Sequence, residues 1–393
     1  MSTFTMLLPF GPQHPMLHEP AHFKFEVDGE TVVNVTPYLN YVHRGIEKLL
    51  ENRTYVQGLY VAARVCGICN PSHTNAFVAA VEEAMGIEPP PRAKYLRVVT
   101  QEIHRIQSHL ILLAVAAEEM GFNSLFMLIW RDRERILRLI EAITGGRVMQ
   151  SYDRIGGVYR DINDILAERV IKELSEMRNR VIQYRKVFSE DPIVRRRTVD
   201  VGVLKTAEMV RLGGVGPFAR ASAVDYDVRR DHRSNHVAYD EVPFNVITRE
   251  ECDVWARLIA RVDETLECIN MIEYALKHMP SGAIRYRAPR AAPKGAEGIG
   301  RVEAPRGELV HHTISDGQRP YRHRIRTPSF ANVFPAAKAH IGYSIADIPM
   351  IYVSWDPCFS CLARVTLVDI RSGTAKVISG EELRREARRR WEK

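Results

Sequence analysis

Apolar residues recur every three or four positions over long stretches of this chain, and clear stop signals separate those stretches. Arg92 to Met120 reads as a long amphipathic helix stopped by Gly121, Asn123 to Ala142 as the next, stopped by Gly145-Gly146, and Ile162 to Phe188 as a third. Val61 to Met85 also falls into helical spacing, ended by Gly86 and the Pro89-Pro90-Pro91 breaker, while Pro37 to Glu51 opens the first helical stretch. Thr248 with Glu251 has the form of a capping box and predicts a helix running to about Met279, before Pro280. Ser379 with Glu382 repeats the box, so Glu381 to Lys393 is expected to form a solvated or partner-contacting helix. Strict alternation is rarer. It marks a β-hairpin from His22 to Val35 around Asp28-Gly29, and a strand over Glu308 to Thr313. Gly213 to Pro217 and Pro289 to Arg306 are rich in Gly and Pro and read as irregular. The expected architecture is mainly α with small peripheral β elements (α+β) around a helical-bundle core. A single domain would cover residues 1–393, with a hairpin region at 1–36 and a charged tail at 372–393.

Composition narrows the class without naming it. The 393 residues are 46% hydrophobic and 26% charged, ordinary for a globular protein. The longest apolar run, Leu110 to Ala117, is far shorter than the roughly 18–20 residues needed to cross a bilayer. No secretory signal is apparent over Met1 to Phe10, so a cytoplasmic location is expected unless partners hold the chain at the inner face of a membrane. The net charge of +7 is spread along the chain in Arg-rich clusters, such as Arg131 to Arg135, Arg195 to Arg197, Arg322 to Arg326 and Arg384 to Arg390. This is not the basic face interleaved with aromatics that nucleic-acid binding requires. Solvated faces, and contacts to acidic partner subunits or anionic lipid, fit the pattern better.

The chemistry is concentrated in cysteine. Two Cys-x-x-Cys pairs, Cys66/Cys69 and Cys358/Cys361, stand near opposite ends of the sequence, while Cys252 and Cys268 have no close partner and read as small buried hydrophobes. A tight turn brings the two thiolates of such a pair together, and two pairs supply four soft ligands suited to Zn, Fe–S, Ni or Cu(I). Structural zinc and iron–sulfur sites share this spacing, but they usually sit within one small module. Here almost the whole chain separates the pairs, so a common site must be assembled in the core of a large fold.

The residues around both pairs resemble the large subunits of [NiFe]-hydrogenases, particularly the membrane-bound, energy-converting group. Arg64-Val65-Cys66-Gly67-Ile68-Cys69 followed by His73 matches that family's first motif, and Asp356-Pro357-Cys358-Phe359-Ser360-Cys361 followed by Arg364 matches its second. Gly11 to Pro15, Gly156 to Asp161 and Glu303 to Glu308 are also similar. The resemblance implies an Ni–Fe(CO)(CN)2 centre, with Cys66 and Cys358 as terminal Ni ligands and Cys69 and Cys361 bridging to Fe. It further implies a role for Arg326, in Arg324-Ile325-Arg326-Thr327-Pro328, as a cation above the cluster, and for His73 as a hydrogen-bond support of a cysteine. The implied partners are a small subunit carrying a [4Fe–4S] cluster and membrane subunits that pump ions.

One departure affects the expected chemistry. The hydrogenase pattern commonly has a glutamate immediately before the Arg of the first motif, where this chain has Ala63. A methyl group accepts no proton, so Glu19, Glu47 and Glu308 become the candidate acids, Glu19 foremost. Gly11 to His18 and His43 to Lys48 are similar to the quinone-site subunit of respiratory complex I, a member of the same superfamily. That subunit lacks the cysteine pairs, however, and carries a tyrosine at the position of Phe77, whose ring cannot donate to a quinone. Sulfane-sulfur-reducing relatives keep the fold and the cysteines, which leaves polysulfide reduction as the alternative activity. Arg364 also stands where many soluble relatives have a histidine that marks C-terminal processing, so no processing is expected here.

Overall fold

A computed structural model describes residues 5–362 apart from positions 18, 40, 233 and 235, together with 367–368, 375–376, 385 and 388–389. The chain begins with a three-stranded antiparallel sheet, β1 (Thr5–Phe10), β2 (His22–Asp28) and β3 (Thr31–Tyr38), in the order β1-β2-β3. The predicted hairpin is β2–β3, turning at Gly29 with φ +60°. Helices α1 (Ile46–Glu51), α2 (Tyr55–Ala63), α3 (Asn70–Met85), α4 (Pro91–Glu119) and α5 (Asn123–Thr144) follow. A short ribbon of β4 (Asp153–Arg154) and β5 (Gly157–Val158) then leads into α6 (Asp164–Glu190). Four short helices, α7 (Pro192–Thr198), α8 (Thr206–Arg211), α9 (Gly216–Arg220) and α10 (Val228–Asp231), connect it to the long α11 (Val254–His278). A second antiparallel sheet comprises β6 (Glu297–Ala304), β7 (Gly307–Ser315) and β8 (Pro320–Arg326), and precedes α12 (Pro328–Ala339) and α13 (Ile348–Ser354). Beyond them β9 (Leu367–Val368) pairs with β10 (Ala375–Lys376). Among the described residues no helix is long and apolar enough to cross a membrane.

The long helices fall where the periodicity puts them, and their ends show why. Pro91 opens α4 at a position where its missing N–H costs nothing. Gly86 and Gly145 close α3 and α5 in left-handed backbone, at φ +65° and +82°. Other expectations shift. The helical stretch expected over 61–85 is broken between Ala63 and Asn70. β6 occupies much of the 289–306 stretch expected to be irregular, where Gly298 and Gly300 let the strand lie against α3. The helix expected from Thr248 and Glu251 starts later: Asp253 caps α11 by accepting the Ala256 N–H at 2.8 Å. Cys252, just before that cap, is therefore outside the helix, at φ +67°, although it is buried as expected. Residues 37–39 and 41–45 are not helical, because β3 continues to Tyr38 opposite His22 and helix begins only after Gly45. Pro37 is tolerated because β3 is an edge strand. Ser379, Glu382, Arg364 and His18 lie outside the described residues.

Two cores flank the future site. The larger runs from the first sheet through α4, α5, α6 and α11, while the smaller packs α2 and α3 against β6, β7 and β8. Close approach of β6 to α3 depends on glycine: a Cβ on Gly300 would stand 1.9 Å from the Ala76 carbonyl oxygen, and one on Gly298 2.0 Å from that of Ala80. Gly300→Ala must therefore push the sheet off the helix, with an expected loss of about 1–3 kcal/mol. A lowered thermal midpoint of the purified variant checks this, and an unchanged midpoint would contradict it.

The described arginines of the clusters at 131–135, 195–197 and 322–326 are exposed or partly exposed, as expected, but arginines outside them are used differently. Arg97, Arg105, Arg220, Arg257, Arg261 and Arg306 have essentially no exposed surface. Arg97 pairs with buried Glu82 at 2.8 Å between α3 and α4. Arg105 and Arg229 share Glu102, at 3.1 and 3.0 Å, and that carboxylate also accepts the Cys268 thiol. Arg97, Arg105 and Arg229 remain buried because each faces a carboxylate. Arg257 and Arg261 instead donate to backbone carbonyls, and burial lowers them to about 9 and about 10.

Candidate metal centre

The first cysteine pair occupies the turn between two helices, and the second a short 3-10 turn that follows α13. Cys66 and Cys69 span the turn from α2 to α3, with Cys69 at the residue before α3 and its N–H donating to Cys66 Sγ at 3.1 Å. Cys358 and Cys361 bracket a single helical turn after α13, closed by the Cys361 N–H donating to the Cys358 carbonyl at 3.1 Å. Cys66 and Cys358 come from opposite ends of the sequence, yet their sulfurs are 3.3 Å apart, far longer than a disulfide bond of about 2.05 Å. All four cysteines are free and buried, in contact with one another and with Ile68.

The surrounding polar groups hold this geometry. The Arg44 guanidinium donates to the Arg64 and Val65 carbonyls at 2.7 Å each and to the Ser360 carbonyl at 2.9 Å, so it staples the first cysteine turn to the second. Ile68, between Cys66 and Cys69, has its carbonyl bound by His104 and by Gln107. Burial pushes His104 down to about 4 and keeps it neutral at physiological pH. On the other turn, Ser329 Oγ accepts the Cys358 N–H at 3.1 Å, and Thr327 donates to the Cys361 carbonyl at 2.7 Å. Asp356 sits in left-handed backbone at φ +59° and is gripped by Arg306, whose Nε reaches its carbonyl at 2.9 Å and whose Nη2 reaches its carboxylate at 2.6 Å. Arg306 is thus a buried cation beside the sulfurs, kept charged against burial by Asp356 and the cysteines.

The predicted site residues separate into two groups. His73 is fully buried on α3, with Nε2 3.7 Å from Cys361 Sγ. Glu19 reaches the other cysteine turn: its carboxylate accepts the Phe359 N–H, the Ser360 N–H at 3.2 Å and the Ser360 hydroxyl at 3.0 Å. Arg326, by contrast, is partly exposed and turned to Glu308, donating to its carbonyl at 2.7 Å and pairing with its carboxylate. Among the described residues it has no hydrogen bond to a cysteine. Glu47 accepts the Ile325 N–H at 3.0 Å on the same side. Ala63 is fully buried at the end of α2. Sequence reasoning did not single out Arg44, His104 or Arg306. Arg44 and Arg306 do lie in segments that carry the family likeness, His43 to Lys48 and Glu303 to Glu308.

The donor set suits a soft metal. Cys66, Cys358 and Cys361 offer sulfurs within 4.8 Å of one another, and so do Cys69, His73 and Cys361 with one ligand atom each. Four clustered thiols cannot all ionise without a cation. Hydrogen bonds from Cys358, then Cys361 and Cys66, hold Cys69 well below the usual thiol range, while the Cys358, Cys66 and Cys69 sulfurs and burial push Cys361 well above it. A bound cation of adequate charge removes that conflict.

Fold and site together define a helical-bundle protein whose four-thiol centre joins its first and last Cys-x-x-Cys turns. The chain belongs to the family shared by the respiratory-chain NADH dehydrogenase 49 Kd subunit, matched over residues 119–297 and 290–364, and the nickel-dependent hydrogenases, matched over residues 44–114. It is 38% identical over 392 residues to the alpha subunit of the membrane-bound hydrogenase of Pyrococcus furiosus, covering 96% of this chain and 91% of that one. Over 386 residues it is 36% identical to a subunit of the NADH-quinone oxidoreductase of Sinorhizobium medicae, covering 91% and 95%. Among solved structures it is similar to a chain of the membrane-bound sulfane sulfur reductase, an archaeal respiratory membrane complex, with a TM-score of 0.86 and 30% identity over 92% of this chain and 98% of that one. The family is one of oxidoreductase subunits from multi-subunit membrane complexes.

Proposed function

We propose that the chain is the catalytic large subunit of an energy-converting [NiFe]-hydrogenase-type complex, interconverting protons and H2 at a site held by Cys66, Cys69, Cys358 and Cys361. The observation that carries this reading is the convergence of four buried, unbridged thiols from both ends of the chain. When bound, the Ni–Fe centre supplies the electron-rich metal at which H2 is split or formed. The chain's own residues hold and shield it. Arg44 fixes the distance between the two cysteine turns, Arg306 sets a positive charge beside the sulfurs, and the aliphatic contact of Ile68 helps keep water out. A small [4Fe–4S] subunit carries electrons to or from the site, and membrane subunits use the energy to move ions. The assembled complex lies at the inner face of the membrane.

With a methyl group at position 63, the acid hydrogen-bonded into the cysteine turn is Glu19. Its two roles separate by substitution. Glu19→Gln keeps an oxygen to accept the Phe359 and Ser360 N–H groups but carries no exchangeable acid proton, so nickel content is expected to hold while turnover falls by about 10²-fold or more. Glu19→Ala removes the acceptor, at a cost of about 1.5–3 kcal/mol per charge-assisted hydrogen bond, and is expected to lose nickel as well. Wild-type turnover in the Gln variant would remove Glu19 from the proton route.

Polysulfide reduction is the second reading, favoured by the buried Ala63 in place of a relay acid. Quinone reduction is disfavoured by the intact cysteines and by Phe77, which is fully buried. H2/D2 exchange by the anaerobically purified complex tests the first reading against sulfide release from polysulfide. Exchange supports the hydrogenase; sulfide release without exchange overturns it.

A further inference from the structure

The inward positions of β7 and β8 carry a polar row behind Cys361 that the proposed chemistry has not used. His73 Nε2 lies 3.7 Å from Cys361 Sγ, and its Nδ1 is 3.0 Å from His311 Nε2. His311 Nδ1 is in turn 3.0 Å from His323 Nε2, and His323 Nδ1 is 2.7 Å from Thr313 Oγ1. Register makes the row: Thr313 and His323 are cross-strand partners on β7 and β8, and His311 stands two residues before Thr313 on the same face of β7. None of these four residues has exposed surface, and the Phe77 ring packs on His323 at 5.2 Å between centroids.

A neutral imidazole has one N–H and one bare nitrogen, so a row of this kind has only two fully hydrogen-bonded states. In the first, the Thr313 hydroxyl donates to His323 Nδ1, every histidine carries its proton on Nε2, and His73 aims an N–H at Cys361. In the second, every proton is on Nδ1 and Cys361 donates as a thiol. Any mixed arrangement leaves two donors or two bare nitrogens facing each other in a dry core. Burial favours the neutral rings that this counting needs, pushing His311 well down and His323 to about 3. A thiolate only accepts, so the state of the sulfur selects the direction of the whole row.

We propose that His311 and His323, anchored by Thr313, are positioning residues that fix His73 as its Nε2–H tautomer aimed at Cys361 Sγ. This rests on the reading that Cys361 holds its cargo as a thiolate. The row supplies one directed donor to that sulfur, fixes the ring through two strands, and makes a remote hydroxyl part of the site's support.

The test is ¹⁵N NMR of the intact complex with labelled histidine, the row assigned by single His→Gln substitutions. The expected result is Nε2–H with bare Nδ1 at His73, His311 and His323. Thr313→Val, which deletes the terminal donor while keeping the side chain's shape, is expected to leave the bare His323 Nδ1 without its hydrogen bond and so move that nitrogen's resonance, and Thr313→Ser to restore it. Nδ1–H at His311 or His323, or a His323 Nδ1 resonance indifferent to Thr313→Val, overturns the proposal. Nickel analysis of the same samples tests the cargo separately. A nickel-free complex with a uniform Nε2–H row refutes the nickel reading alone, and a nickel-loaded complex with Nδ1–H refutes this one alone.

Discussion

Cys358→Ser is expected to abolish nickel retention, lowering metal per chain by more than about 100-fold, a larger effect than removing a supporting group around a metal. Cys358 is fully buried, its N–H is fixed by Ser329, and its sulfur lies 3.3 Å from that of Cys66. Serine fills nearly the same space and leaves the turn's backbone bonds intact, so the fold is expected to persist. What changes is the donor. An alkoxide at that position is hard, and a neutral hydroxyl is a weak ligand for a soft divalent metal. Metal analysis of the purified complex reads the outcome; wild-type nickel in the variant would remove Cys358 from the ligand set.

Arg220→Met is the substitution expected to cost most stability, about 3–5 kcal/mol, because it leaves buried carboxylates without their counter-charge. Arg220 has no exposed surface and contacts Glu264 at 2.8 Å, Glu303 at 2.8 Å and Asp227 at 3.3 Å. Burial alone would raise Glu264, yet Arg220 and His109 hold it well below the usual carboxylate range. Burial and the charge of Asp227 push Glu303 up to about 7 in spite of Arg220. The two acids therefore act on stability in opposite directions. Glu264, depressed in the folded state, contributes stability above its unfolded value of about 4.3 and loses it as the pH falls. Glu303, raised, costs nothing below that value and loses stability as the pH climbs toward about 7. Without Arg220, Glu264 joins Glu303 on the raised side. The deficit of the variant should thus be smallest in strong acid, grow already below about pH 4 as the wild-type Glu264 ionises, and continue to grow toward neutrality. Thermal midpoints measured across that range check it, and a deficit independent of pH would contradict the electrostatic account.

These two predictions draw on features that were unequally visible in the sequence. Cys66, Cys69, Cys358 and Cys361 were legible because spacing alone brings each pair together, and the length between the pairs demanded a core assembly. The long helices were legible because one apolar face repeats over many turns and Gly or Pro marks the ends, as at Gly86, Pro91 and Gly145. The buried ion network was not. Arg220, Glu264 and Glu303 meet from α9, α11 and β6, and nothing in a local window distinguishes a buried Arg from a solvated one. The His311–His323 contact depends on strand register, which turn geometry and packing set. Glu19 carried a candidate role as an acid, but its grip on the Phe359–Ser360 backbone is a contact across more than 300 residues of sequence. Arg326 shows the converse, since its motif was recognisable while its guanidinium is engaged with Glu308.

The central claim is that the four cysteines hold a nickel–iron pair whose iron carries CO and cyanide. An infrared spectrum of the anaerobically purified, active complex, in the window where metal-bound CO and cyanide absorb, tests it most directly. The account predicts bands there that disappear in Cys358→Ser. Their absence from active wild-type complex would contradict it and leave the thiols to sulfur chemistry.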